Sequence, residues 1–73
     1  MTGEILRIDQ ARSIATIKHH EIVGWMEAMT MDFPIRSDIE LNNLREGMKI
    51  QGTVYVQGLE FWLADVQVTA DPP

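Results

Sequence analysis

Apolar residues that alternate with polar ones at a period of two are the feature that most constrains how this chain can fold. The alternation is clearest over residues 29–35 and 48–56, and shorter β-branched runs occupy 5–8 and 14–17. A period of two places one set of side chains on one face of a β-strand. The chain is therefore expected to be all-β, with half-buried strands.

Polar segments divide these runs into five strands. Residues 9–13 predict a hairpin between the first two strands, and residues 21–28 predict a loop that turns at Gly24. The dipeptide at 57–58, Gln-Gly, predicts the turn between the last two strands. Neighbouring strands joined by such short segments are expected to pair antiparallel.

A helical turn and a β-bulge are predicted in the second half of the chain. Ser37 is a candidate N-cap, and Leu41 and Leu44 are three residues apart, as on one face of a helical turn. Gly47 is typical of the position that ends such a turn. In the last strand the apolar set shifts by one residue near Leu63, which is typical of a β-bulge.

A chain of 73 residues makes one domain, close to the lower size limit for a single hydrophobic core. Closing a short sheet on itself removes edges that could not otherwise be hidden. We therefore predict one domain over residues 1–73, with 70–73 as a disordered tail. Its fold is expected to be a small five-stranded OB-like β-barrel with one short helical turn before strand four, and an SH3-like barrel is the nearest competitor.

Composition excludes several classes of function. The absence of cysteine excludes disulfides, iron–sulfur clusters and common structural zinc sites. Six basic against eleven acidic residues give a net charge of -5, which disfavours nucleic acid. No apolar run approaches the ~20 residues that span a bilayer, so direct membrane insertion is not expected. Without a nucleophile–base pair or a phosphate loop, the chain is not expected to be an enzyme.

Soft donor atoms concentrate in residues 19–31, which hold both histidines, one tryptophan and three methionines. Thioether sulfur suits Cu(I) better than it suits Zn²⁺, Ca²⁺ or Mg²⁺. Met29 and Met31 share one face of a predicted strand, and a neighbouring strand could bring His19 to the same place. Trp25, on the intervening loop, could cover the ion with its π face.

Two other functions remain open from these residues. A Met-x-Met pair on an apolar strand face is also the pattern of ordinary core, because methionine fills gaps. The domain could then be a purely structural accessory domain of a larger assembly. An OB-fold nucleic-acid-binding module is the other alternative, for which Tyr55 and Trp62 are the candidate aromatic residues.

Three segments together resemble the signature of the CusF-type periplasmic Cu(I)/Ag(I)-binding family. They are Ile-Lys-His at 17–19, Glu-Ile-Val-Gly-Trp at 21–25 and Ala-Met-Thr-Met-Asp-Phe at 28–33. The Leu-x-x-Gly-Met segment at 44–48 is similar to the family's turn into strand four, and the resemblance extends from about residue 3 to residue 68. The family includes free-standing metallochaperones and similar domains fused to adaptors of heavy-metal efflux systems.

The resemblance implies a five-stranded OB-type barrel in which His19, Met29 and Met31 bind Cu(I) or Ag(I) and Trp25 is a cation–π cap. It implies a monomeric periplasmic domain that contributes to metal resistance by delivering the ion to an efflux component, either an adaptor or a pump protein.

Two further donors remain alternatives. His20 is a second imidazole next to His19, although strand alternation directs the two to opposite faces. Met26 lies on a loop in which Met29 stands four positions after Trp25, against three in the best-known chaperone of the family. This thioether could therefore enter the site.

Overall fold

The computed structural model of the protein describes residues 1–72, and the chain forms five strands and one short helix. In chain order they are β1 (Thr2–Asp9), β2 (Ile14–His19), β3 (Met29–Pro34), α1 (Asp38–Asn42), β4 (Lys49–Gln57) and β5 (Glu60–Ala70). All paired strands are antiparallel in one sheet of order β3-β2-β1-β4-β5. The predicted all-β class, the five strands and the helical turn before strand four are confirmed.

The two edge strands of this sheet approach each other, so that the sheet curls into a barrel-like shape. A single parallel bridge between Ile35 and Leu63 links the end of β3 to β5. Hydrogen bonds therefore do not close the barrel, and side-chain packing fills the gap. This partly open five-stranded arrangement is compatible with an OB-like barrel.

The core lies inside the curled sheet, as the period-two pattern predicts. Nine apolar side chains are buried there: Ile5, Ala15, Ile17, Phe33, Ile35, Leu41, Leu44, Ile50 and Leu63. All five strands and the helical segment contribute, either to this set or to the half-buried side chains against it. One core therefore connects elements from Met1 to Val66.

The helix begins and ends close to the predicted positions. The Ser37 hydroxyl accepts a hydrogen bond from the Glu40 amide at 3.3 Å, as expected of an N-cap. None of the residues from 1 to 72 belongs to a helix long and apolar enough to cross a membrane. The predicted tail, 70–73, starts at the last residue of β5, and Pro73 lies outside the described residues.

Irregularities in two strands bend the sheet. In β5 the register with β4 shifts between Ala64 and Gln67, and Asp65 between them has a φ of 54°. The bulge thus lies just beyond Leu63, where the sequence predicts it. Two further irregularities, between Ile5 and Arg7 of β1 and between Val68 and Ala70 of β5, are not predicted from the sequence. All three increase local twist, which helps a short sheet to curl.

Candidate metal centre

The pairing of β2 with β3 brings the predicted donors to one face of the sheet. His19 is the direct cross-strand partner of Met29, and Ile17 is the partner of Met31. Directly opposed Cβ atoms lie about 4.5–5.5 Å apart and diagonal ones about 7–8 Å, within reach of long side chains. His19, Met29 and Met31 therefore form a compact set, called here the soft-donor face.

Burial changes across the soft-donor face. His19 is only 2% exposed, Met31 is half-buried, and Met29 is 50% exposed. The imidazole is thus part of the protein interior, whereas one thioether is open to solvent. An ion held by all three would sit at the boundary between core and water.

The His19 ring has one satisfied nitrogen and one orphaned nitrogen. Its Nδ1 lies 2.7 Å from the His20 carbonyl oxygen. Because a carbonyl can only accept, Nδ1–H must donate, and the neutral ring then presents its lone pair at Nε2. Nε2 is buried and has no hydrogen-bond partner among the described residues. A buried polar atom without a partner is costly, and a bound metal ion would satisfy it.

The second histidine points elsewhere. His20 is exposed, and its Nδ1 is hydrogen-bonded to the Thr2 hydroxyl at 2.9 Å. The structure therefore brings His19, and not the side chain of His20, together with Met29 and Met31.

Trp25 is carried by a tight turn that follows β2. Ile22 and Met26 form an isolated antiparallel bridge, with amide-to-carbonyl distances of 2.8 and 2.9 Å. Gly24 within it has a φ of 81°, which glycine adopts without strain, and the Trp25 amide donates to the Ile22 carbonyl at 2.9 Å. The turn therefore holds the indole in a defined place, where it is 44% exposed.

Two phenylalanines connect the indole to the buried imidazole. The Trp25 ring is edge-on to Phe61 at 6.1 Å between centroids, and Phe61 is edge-on to Phe33 at 5.8 Å. Phe33 in turn meets the His19 ring at 5.5 Å. Sequence reasoning missed Phe61 as part of this region, because only strand pairing places β5 beside the loop. The aromatic series packs one side of the soft-donor face.

The remaining candidate donors offer no site for a hard cation. Within residues 1–72, no group of three histidine, cysteine, aspartate or glutamate side chains could hold a metal ion. Met26 is half-buried and its backbone is paired with Ile22, so it belongs to the turn that carries Trp25. The donor set that the fold assembles is one imidazole nitrogen with thioethers, which suits a soft ion.

Comparison with known protein families finds a match over most of the chain. A family model described as copper binding periplasmic protein CusF matches residues 1–68 of the chain. No curated protein matches it. The matched span contains the whole soft-donor face, the turn with Trp25 and all of β5 except its last two residues.

Proposed function

The chain belongs to the family of the copper-binding periplasmic protein CusF, and from that membership we propose that it is a carrier of Cu(I) or Ag(I). Periplasmic copper binding is confirmed by the family itself. The proposal adds the ligands His19, Met29 and Met31, the cap Trp25, and delivery of the ion to a heavy-metal efflux component.

The orphaned Nε2 of His19 is the observation that carries the proposal. A buried imidazole nitrogen without a partner is a stability cost that a purely structural domain has no reason to keep. Two thioethers share its strand face, at direct and diagonal positions. Neutral sulfur and nitrogen donors favour a soft monovalent ion, and three of them complete a site for Cu(I) or Ag(I).

The position of Trp25 supports its role as a cap. The indole is half-exposed, is held by the tight turn, and contacts the aromatic series that ends on His19. An indole face over a cation attracts it electrostatically and excludes water. A cap of this kind would also protect Cu(I) from oxidants.

Release of the ion is proposed to begin at Met29. This thioether is the most exposed of the three donors, so an incoming ligand can replace it while His19 and Met31 still hold the ion. Residues 19–35 contain acidic side chains, among them Glu21 and Glu27, and no lysine or arginine. The expected acceptor is therefore an efflux component, an adaptor or pump protein, with a basic surface around its own soft ligands.

Silver binding by methionine variants tests the ligand set. Native mass spectrometry after anaerobic incubation with Ag(I) should find one ion per wild-type chain. Met31→Leu should weaken binding by more than about 100-fold, because losing a direct ligand exceeds the 10–100-fold cost of losing an outer-shell partner. Met48→Leu is the matched control, since Met48 is half-buried against the core and accepts from the Arg45 amide instead. Equal affinities for the two variants would contradict the proposal.

Tryptophan fluorescence tests the cap separately. The chain has two tryptophans, and Trp62 lies on the opposite side of β5 from Phe61, stacked on Tyr55. In Trp62→Phe only Trp25 emits, and silver should change its emission strongly. In Trp25→Phe only Trp62 emits, and silver should leave it unchanged. If the two variants respond alike, Trp25 is not the cap.

A further inference from the structure

His20, which follows the buried His19, is hydrogen-bonded to the neighbouring strand β1. Thr2 of β1 contacts His20 twice: its carbonyl accepts from the His20 amide at 3.0 Å, and its hydroxyl is hydrogen-bonded to His20 Nδ1 at 2.9 Å. His20 is the first residue beyond β2, so the β2–β3 ladder no longer fixes its peptide. The two hydrogen bonds with Thr2 of β1 therefore fix the position of His20.

The backbone carbonyl of His20 is in turn the hydrogen-bond partner of the His19 ring. The His20 carbonyl oxygen accepts from His19 Nδ1 at 2.7 Å, and this bond leaves Nε2 as the free nitrogen. A hydrogen bond at the second nitrogen is what selects the tautomer of a metal-binding histidine. The contacts thus run in series from the Thr2 hydroxyl through His20 to the ring of His19.

Gly3 explains how β1 comes close enough to do this. It is the direct partner of His19, and a Cβ on Gly3 would lie 2.9 Å from His19 Cα and 2.7 Å from the Lys18 carbonyl oxygen. Any side chain here would push β2 away. The start of β1 is therefore shaped to lie against the backbone that carries His19.

We propose that Thr2 is a positioning residue for the metal site: its hydroxyl holds His20 so that the His20 carbonyl keeps the His19 ring with Nδ1 protonated and Nε2 free to bind the ion. This inference rests on the proposed ligand role of His19. It assigns a function to the second histidine as well, which supports the first without touching the metal.

Thr2→Val tests the role, because valine keeps the shape and the backbone contact and removes only the hydroxyl. In the metal-free protein, ¹⁵N NMR of the imidazoles should find less of the Nδ1–H tautomer at His19. Silver affinity, measured by competition, should fall about three- to tenfold, as expected for one hydrogen bond acting on an outer-shell partner. Thr2→Ser should restore both values, and Thr16→Val, which removes the hydroxyl that donates to Asp32 on the other face of β2, should change neither.

A double-mutant cycle separates this role from general stability. His20→Ala removes the other half of the same contact, so the double variant should bind silver no more weakly than either single variant. Additive losses, or an unchanged His19 tautomer in Thr2→Val, would overturn the proposal. A loss in His20→Ala far larger than in Thr2→Val would also overturn it, because His20 would then be a ligand.

Failure of the ligand assignment gives a different result. If His19→Gln binds silver as tightly as the wild type, His19 is not a ligand and the proposed function fails. The tautomer measurement uses the metal-free protein, so it still reports whether Thr2 controls the His19 ring. The two failures are therefore distinguishable.

Discussion

Replacing His19 by leucine is expected to separate the stability of the domain from its metal binding. Leucine is similar in size to histidine and suits a site that is 2% exposed. The substitution removes the orphaned Nε2 together with the Nδ1–H bond to the His20 carbonyl. The metal-free variant should be at least as stable as the wild type, whereas most substitutions at buried positions destabilise.

The expected change in the free energy of unfolding follows from the two ring nitrogens of His19. Removing an unpartnered buried polar atom recovers about 1–3 kcal/mol, and losing one ordinary hydrogen bond costs about 0.5–1.5 kcal/mol. The expected change in the free energy of unfolding is therefore a gain centred near 1 kcal/mol. In a domain of this size that raises Tm by about 4–8 °C.

Silver should reverse the order of thermal stability of the wild type and His19→Leu. At a free concentration about 100 times Kd, a ligand that binds only the native state stabilises it by about 2.7 kcal/mol. The wild type gains this amount, and His19→Leu, which lacks the buried nitrogen donor, gains far less. The variant should therefore melt higher without silver and lower with it.

Thermal and urea unfolding, each with and without Ag(I), are the measurements. Ile17→Val is the matched control on the same strand, because it shortens a fully buried side chain and should lose about 0.5–1.5 kcal/mol under both conditions. A metal-free His19→Leu protein destabilised by more than about 1 kcal/mol would refute the argument that Nε2 is kept at a cost for metal binding.

Two further predictions concern the outer face of the barrel. The Arg36 guanidinium carbon lies 3.5 Å from the Trp62 ring centroid, and its side chain pairs with Glu60 at 3.1 Å, next to the Ile35–Leu63 bridge that links β3 to β5. Arg36→Gln should lower the free energy of unfolding in urea by about 1 kcal/mol while silver affinity stays unchanged; an unaltered urea midpoint would contradict a stabilising role for these contacts. The Tyr55 hydroxyl donates to the Asp65 carboxylate, and that bond and its negative charge raise the pKa of Tyr55. Asp65→Asn should therefore lower the pKa of this single tyrosine in an alkaline absorbance titration, and an unmoved midpoint would show that another group is the cause.

Much of the fold is predictable because its causes are local. Period-two alternation predicts the strands, and Ser37 predicts the start of the helix. The shift of apolar residues after Leu63 predicts a bulge close to where Asp65 adopts a positive φ. The irregularity in β1 was not predictable in the same way, because it depends on how β1 fits between two other strands.

The sequence by itself determined which side chains can act together. Met29 and Met31 share one face of β3, and Ile17 and His19 share one face of β2, because alternation is a property of the extended backbone. The resemblance of the segment that holds His19, Met29 and Met31 indicated copper or silver as the ion.

Only the tertiary structure decided how deep each donor lies and what supports it. The pairing of β2 with β3 sets His19 opposite Met29, and the fold buries the first and exposes the second. The contact between Thr2 and His20 joins residues eighteen positions apart, and no local sequence pattern predicts it. Burial and hydrogen bonding across strands depend on which segments meet when the sheet curls, so they follow from the whole chain and not from any stretch of it.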